Sequence, residues 1–349
     1  MEFGSRSRDG GDIMNRALVI MLRSVARSVR RVVKSSPTLR NLFSDFYNAE
    51  LFTDLRTHEK MLCDSLRVES YRAGLAGCVK PGDVVLDLGT GTGILSLLAA
   101  VQRPKLIYAV DHSPFIEIAR EIAARNKVTC IEFVHSNSRD FTPPEPIDVV
   151  IHEQMGSTPL EENMIENLLD LKRRVLKSGG RIEPGRFDMF VEPIVMKPEQ
   201  IVPYIADIKI DGVDLSFLGE YAPVRAYRPA QYSMYPNVGR AVFERFLSRP
   251  RMILSFDLNA VERSEQIPSV LTAERTIEVD GPLDGFCVYF RTEFGNRVSF
   301  DTSPLSAYTH WFNRVYRADR RPLRKGDTIR YTLRTEPITD PHLWPLEVL

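Results

Sequence analysis

A chain of 349 residues with an apolar share of 43% is long enough to bury one large core or two smaller ones, which argues against a disordered or fibrous protein. Lysine and arginine total 46, as do aspartate and glutamate, so no global field draws the chain to nucleic acid or to an acidic membrane. The four cysteines, Cys63, Cys78, Cys130 and Cys287, lack C-x-x-C or histidine spacing, which reads as free thiols in a reducing, cytoplasmic setting with no metal.

Residues 1–13, MEFGSRSRDGGDI, read as a vector-derived tag, with Met14 as the native start. Residues 14–44 form a basic amphipathic helical segment. Leu18, Leu22, Val25, Val29 and Val32 share one helical face, and Arg23, Arg27, Arg30 and Lys34 another. A targeting peptide, a surface anchor, a docking arm and a simple solvated face all fit this pattern. ALVIML is cut short by Arg23, so no membrane span is expected, and membrane contact is not part of the reading. A further helical stretch, HEKMLCDSLRVESYRAGL, leads into the first strand.

From residue 84 strands and helices alternate. VVLDLG reads as a buried parallel strand, followed by Gly89, Gly91 and Gly93 and then the helix ILSLLAA. Glycines at such a turn let the backbone approach a ligand, and the helix start offers N–H groups to it. The spacing is G-x-G-x-G rather than the dinucleotide G-x-G-x-x-G, and Asp87 sits inside the strand end. Together these favour S-adenosylmethionine over a nicotinamide cofactor. The next strand, LIYAVD, ends on Asp111, placed to accept both ribose hydroxyls, although a solvated strand end or a helix cap explains it equally well in isolation. The helix FIEIAREIAARN, the strands IEFVHS and DVVIHE, and the helix MIENLLDLKRRVL complete an alternation that implies a parallel sheet covered by helices.

Glu153 and Glu162 lie nine positions apart in IHEQMGSTPLEENMIENLL, just beyond this loop system. Two carboxylates beside a cofactor pocket suit a planar cation, and a guanidinium offers five N–H donors in a fixed fork. The competing explanation is that Glu153 ends a strand while Glu161 and Glu162 favour a helix start. The Lys177-Ser-Gly-Gly turn, followed by Pro184 and Gly185, reads as the change to a second architecture. Thereafter RFDMFVEPIVM, GFCVYFRTEF and TIRYTLRTEP are strand patterns separated by turns such as Gly295-Asn296 and Gly326-Asp327, and imply an antiparallel domain. Residues 198–245, rich in proline and tyrosine, fit no element clearly.

The sheet, the two glutamates and the segment FDTSPLSAYTHWFNRV together resemble the protein arginine methyltransferase family over residues 45–335. The most specific elements are the double-glutamate loop, with Met155 and Gly156 after Glu153, and the Thr309-His310-Trp311 loop. The resemblance implies an α/β fold: a Rossmann-like parallel-sheet methyltransferase domain at 45–185 and an antiparallel β-barrel domain at 186–349, with N-terminal helices before them. It further implies a homodimer formed through an arm within 198–245, and S-adenosylmethionine as cofactor. In His58-Glu59-Lys60-Met61-Leu62, Asp64 and Arg67 it implies a helix over the cofactor, with Arg67 on the methionine carboxylate and Asp64 paired with His310. Glu153, Glu162, His310 and Asp64 are thereby the catalytic candidates. His58, Met61, Arg67, Asp87, Gly89, Gly91, Gly93, Asp111 and Ser138 are the cofactor-binding ones, with Asp140 an equal candidate for the adenine and Met164 flanking the site beside Met61.

Phe46, Tyr47 and Phe52 stand in imperfect register with the tyrosine-rich lid of relatives. Gln154 and Ser157 stand where relatives often carry aromatic side chains, which makes the arginine channel more polar. The final strands are expected to be shortened or rebuilt around Trp344. The expected activity is methylation of arginine side chains in proteins or peptides. The alternatives are methylation of free L-arginine or another small guanidine, and a non-catalytic cofactor-binding scaffold.

Overall fold

The computed structural model describes residues 54–201, 203–222, 233–235, 242–335 and 344–349, all within one compact unit, Leu51–Leu349. The tag, the basic segment at 14–44 and the aromatic positions Phe46, Tyr47 and Phe52 lie outside the described residues.

The stretch expected as one helix is two. Helix α1 spans Leu55–Cys63 and α2 spans Ser65–Cys78, with Asp64 between them in an extended conformation (φ −75°, ψ 91°). Asp64 caps α2 by accepting from the Arg67 N–H at 2.9 Å. A short carboxylate at an N-cap satisfies an orphan donor of the first turn, and here the cap wins over continuation of the helix.

Strand β1 (Val84–Leu88) is buried along its whole length. It is followed by α3 (Ile94–Ala100), β2 (Leu106–Asp111), α4 (Phe115–Arg125), β3 (Ile131–His135), β4 (Ile147–His152), α5 (Met164–Arg174) and β5 (Leu176–Glu183). These strands form a five-stranded sheet in the order β3-β2-β1-β4-β5, parallel throughout. The chain moves outward from β1 to β2 and β3 on one side, then returns to place β4 on the other. In such a sheet the crevice at the carboxyl ends of the strands flanking the reversal is where ligands bind. The Lys177-Ser-Gly-Gly segment, expected as a turn ending the sheet, lies instead within β5. The pairing jumps from Ile147↔Leu176 to Val149↔Arg181, so residues 177–180 bulge out of the ladder, helped by Gly179 at φ 77°.

The rest of the unit is antiparallel: β6 (Arg186–Met196), β7 (Ser233–Tyr235), β8 (Phe243–Phe246), β9 (Met252–Asp257), β10 (Val270–Thr276), β11 (Gly281–Glu293), β12 (Ser299–Asp301), β13 (Arg314–Leu323), β14 (Thr328–Arg334) and β15 (Leu346–Val348). They form a seven-stranded sheet whose main path is β7-β13-β11-β6-β8, with β12 and β9 at its side, and a three-stranded sheet β10-β14-β15. β15 follows the fully buried Trp344 and pairs with β14. Between β6 and β7 the described residues carry short helical turns, including α6 (Phe217–Glu220), and leave Ile205, Ile210, Val213, Phe217 and Tyr221 exposed.

One apolar cluster runs from β1 and α2 through β6, β11 and β14, so the parallel and antiparallel parts share a core. α2 sits directly on the β11–β12 hairpin. A Cβ on Gly74 would come 2.5 Å from the Phe294 ring, and Asn296 Nδ2 donates to the carbonyls of Ala73 at 3.0 Å and Gly74 at 3.2 Å. Only glycine permits this approach.

Candidate active site

The carboxyl ends of β1, β2 and β4 deliver the first set of groups. Gly89, Gly91 and Gly93 all adopt positive φ, and Gly93 caps α3 without a side chain. Asp111 Oδ2 accepts from the Gly91 N–H and Oδ1 from the Ser113 N–H, both at 2.7 Å. Each carboxylate oxygen keeps a further acceptor direction, the number a ribose diol needs. Asp87 is fully buried, and its Oδ2 accepts from Thr90 Oγ1 at 2.7 Å and Ser96 Oγ at 2.6 Å. Burial pushes its carboxyl up to about 6 against the pull of those two hydroxyls. Asp87 Oδ1 is buried without a hydrogen-bond partner. An orphaned carboxylate oxygen beside a glycine turn is costly unless a ligand donor meets it.

His58, buried on α1, stacks on Phe115 with ring centroids 3.8 Å apart. A Cβ on Gly91 would lie 3.0 Å from His58 Cε1. The glycine loop, His58 and Phe115 therefore form one cradle, and Asp87 and Asp111 supply its charge. These residues fit the ammonium, ribose and backbone-facing parts of S-adenosylmethionine.

The two glutamates come next. Glu153 directly follows β4, and Arg67 of α2 donates to its Oε2 from Nε at 3.1 Å and from Nη2 at 2.9 Å. Arg67 Nη1 also donates to the Met61 carbonyl at 3.3 Å. The guanidinium expected on the methionine carboxylate is thus held by one of the two glutamates. Glu162 sits at φ 60° and Asn163 at φ 54°, a left-handed pair before α5. Such strain costs on the order of 1 kcal/mol or more per residue. Burial pushes the Glu162 carboxyl well above its usual range, and the charges of Glu153 and Glu161 push it further. Glu153 thus lies near enough for its charge to act on Glu162.

Asp64 fastens the other side. Its Oδ2 accepts from Thr309 Oγ1 at 2.6 Å, from the His310 N–H at 2.8 Å and from His310 Nδ1 at 2.7 Å. Burial alone pushes this carboxyl up, but the bonds from His310, Thr309 and the Arg67 N–H override it and hold it at about 2. With Nδ1–H given to the carboxylate, Nε2 is the basic nitrogen of His310. Trp311 Nε1 donates to the Met155 carbonyl at 2.7 Å, tying the Thr309–Trp311 loop to the double-glutamate loop.

Met164 is buried at the start of α5 and Met61 half-buried on α1. Ser138 engages only through its carbonyl, which accepts from Arg174 Nη2 at 2.9 Å, and Asp140 is exposed. Neither is singled out by this geometry. Two polar chains were not foreseen from the sequence. In one, Asn167 Nδ2 donates to Gln154 Oε1 at 3.3 Å and Arg139 Nη2 donates to Asn167 Oδ1 at 2.8 Å. In the other, Ser157 Oγ donates to Glu161 Oε1 at 2.7 Å, and Arg314 Nη2 donates to Ser157 Oγ at 2.9 Å. The available signal for the second was Arg314 itself, a charge at the head of a strand whose first five residues, Arg314–Ala318, are all buried.

Residues 85–180 match the family model of a methyltransferase domain, and residues 194–342 that of the arginine methyltransferase oligomerization subdomain. Protein arginine N-methyltransferase 6 of Danio rerio is 30% identical over 293 residues, 79% of this chain and 80% of its own length. The chain belongs to the protein arginine N-methyltransferase family. Protein arginine N-methyltransferase 1 of Saccharomyces cerevisiae is likewise 30% identical, over 88% of this chain and 89% of its own. Among solved structures, the Trypanosoma brucei PRMT1 enzyme-prozyme heterotetrameric complex with AdoHcy superposes with a TM-score of 0.68 at 26% identity, covering 81% of this chain and 88% of that one. In this arginine methyltransferase the parallel sheet carries the acids, and the antiparallel part carries the histidine loop bonded to Asp64 and to the Met155 carbonyl. No helix among the described residues is long and apolar enough to cross a membrane. Nor, among them, do three His, Cys, Asp or Glu side chains gather as a metal site requires.

Proposed function

We propose that this chain transfers a methyl group from S-adenosylmethionine to the guanidino group of arginine in proteins or peptides. The observation that carries the reading is the half-buried Glu162, held in a left-handed turn at the carboxyl end of the parallel sheet, with its carboxyl pushed up in part by the charge of Glu153. S-adenosylmethionine, when bound, supplies a methyl carbon on a positively charged sulfur. Asp87, Asp111 and the backbone of the Gly89–Gly93 loop would hold it, with the remaining N–H groups of Arg67 available to its carboxylate.

The protein's own task is positioning. A guanidinium entering between Glu153 and Glu162 brings the positive charge that Glu162 lacks, so substrate binding and ionisation of Glu162 favour each other. The acids then bias the guanidinium charge away from the attacking nitrogen. Full deprotonation of a free guanidinium at neutral pH costs about 7 kcal/mol, or roughly five pK units. The proton therefore leaves during or after methyl transfer, and its acceptor in this reading is His310 Nε2, oriented by Asp64.

The match of residues 194–342 to an oligomerization subdomain, together with the exposed Ile205, Ile210, Val213, Phe217 and Tyr221, supports a homodimer whose arm includes this segment. The function is tested by incubating the protein with S-adenosylmethionine and an arginine-glycine peptide, its lysine-substituted version, or free L-arginine, and counting added methyl groups by mass spectrometry. The arginine peptide alone is expected to be methylated well. A protein that binds S-adenosylmethionine yet leaves that peptide unmodified contradicts the proposal, and preference for free arginine would replace its substrate class.

A further inference from the structure

The double-glutamate loop carries a third acid that the mechanism does not use. Glu161 folds back over the loop. A Cβ on Gly156 would meet its Oε2 at 2.6 Å, and its Oε1 accepts from Ser157 Oγ at 2.7 Å. It lies next in sequence to Glu162, and its charge opposes the ionisation of that acid. Arg314, at the head of β13 and only 4% exposed, stands 3.6 Å from Glu161 Oε2 and donates to Ser157 Oγ at 2.9 Å. A buried cation paired with a carboxylate on a different element fixes the distance between those elements, because breaking it strands a charge.

We propose that Arg314 is a positioning residue for arginine methylation: reaching from the antiparallel domain, it grips Ser157 and Glu161, holds the Glu162 turn in register and offsets the negative charge beside it. The inference rests on the methyltransferase reading. Trp311 and Arg314 then pin the same loop at two points, Met155 and Ser157. Both acids whose charge acts on Glu162 have a cationic partner, Glu153 in Arg67 and Glu161 in Arg314. Glu162 is left as the acid whose counter-ion is the substrate. A loop with Glu161 but without Arg314 would carry an extra uncompensated charge where the guanidinium must be centred, and would hold it off axis.

The test compares wild type, Arg314→Met, Arg314→Lys and the double variant Glu161→Gln/Arg314→Met. Each is assayed for peptide methylation across a pH series, with S-adenosylmethionine affinity measured by calorimetry. Arg314→Met is expected to lower kcat/KM by about tenfold or more, chiefly through the peptide KM, to move the acidic limb to higher pH, and to leave the S-adenosylmethionine Kd within about twofold. Arg314→Lys keeps the charge without the fork and falls between. The double variant removes both charges, returns the limb toward wild type and recovers most of the loss. An Arg314→Met enzyme with wild-type kcat/KM overturns the inference. So does a double variant that recovers nothing while the limb stays put, which would make Arg314 mere packing. Should Arg314→Met fail to fold by circular dichroism, Glu161→Gln alone decides: its limb must move to lower pH, and an unmoved limb is fatal. Wild-type protein that leaves the arginine peptide unmethylated defeats the parent reading, whereas wild-type turnover indifferent to Arg314 defeats only this one.

Discussion

Replacing Asp64 by asparagine removes the junction between α2 and the Thr309–Trp311 loop. Asp64 is fully buried and held at about 2 against an ordinary value of 3.8. That difference corresponds to about 2 kcal/mol of folded-state preference for the carboxylate. Because the folded value lies below the unfolded one, the contribution is complete above pH about 4 and is lost as pH falls toward about 2. Asparagine presents one oxygen where the structure uses two, to four donors, and turns its amide against at least one N–H. Asp64→Asn is therefore expected to lose about 2 kcal/mol at neutral pH in urea denaturation followed by tryptophan fluorescence. The gap to wild type should narrow in acid, and methylation should fall because His310 loses its orienting partner. Equal midpoints at neutral pH, or a gap that widens in acid, would refute the reasoning.

Glu162→Gln removes a half-buried acid whose folded-state value is raised above its unfolded one. Its contribution to stability is therefore full in acid and lost as pH rises. The variant should unfold at the same or a higher urea midpoint than wild type at neutral pH and above, and a lower midpoint there would argue against this burial. Asp87 titrates near 6 and must be ionised to meet a cationic ligand group. Calorimetric affinity for S-adenosylmethionine should thus rise with pH through that region, and Asp87→Asn should weaken and flatten the profile. Trp311→Phe keeps the ring contact with Phe300 but loses the bond to the Met155 carbonyl, at a cost of about 1 kcal/mol. A melting temperature equal to wild type would make that bond irrelevant.

The parallel sheet was legible because its central strands β1, β2 and β4 are buried almost throughout and read as continuous apolar runs, the first followed by glycines whose φ angles the turn demands. β6 was read over Arg186–Met196 with the bounds it has in the structure. The break at Asp64 was hidden because the helical period continues across it, and only the distant Thr309–His310 loop selects the cap. The Lys177-Ser-Gly-Gly segment looks like a turn in any sequence, and its place inside β5 is set by pairing with β4. Within the site, the spacing of Glu153 and Glu162 beyond the glycine loop suggested a pair of acids. The grip of Arg67 on Glu153 and of Arg314 on Ser157 did not, since partners 86 and 157 positions apart are joined only by tertiary packing. An arginine has no pattern that says which carboxylate it meets.

The account turns on two acids centring one guanidinium against the methyl donor. Its most direct test is transfer of an isotopically labelled methyl group to an arginine peptide by wild type and by Glu162→Gln, with S-adenosylmethionine affinity measured on both. The expected result is unchanged affinity with turnover lowered by about a hundredfold or more. Turnover at the wild-type rate in Glu162→Gln would contradict it.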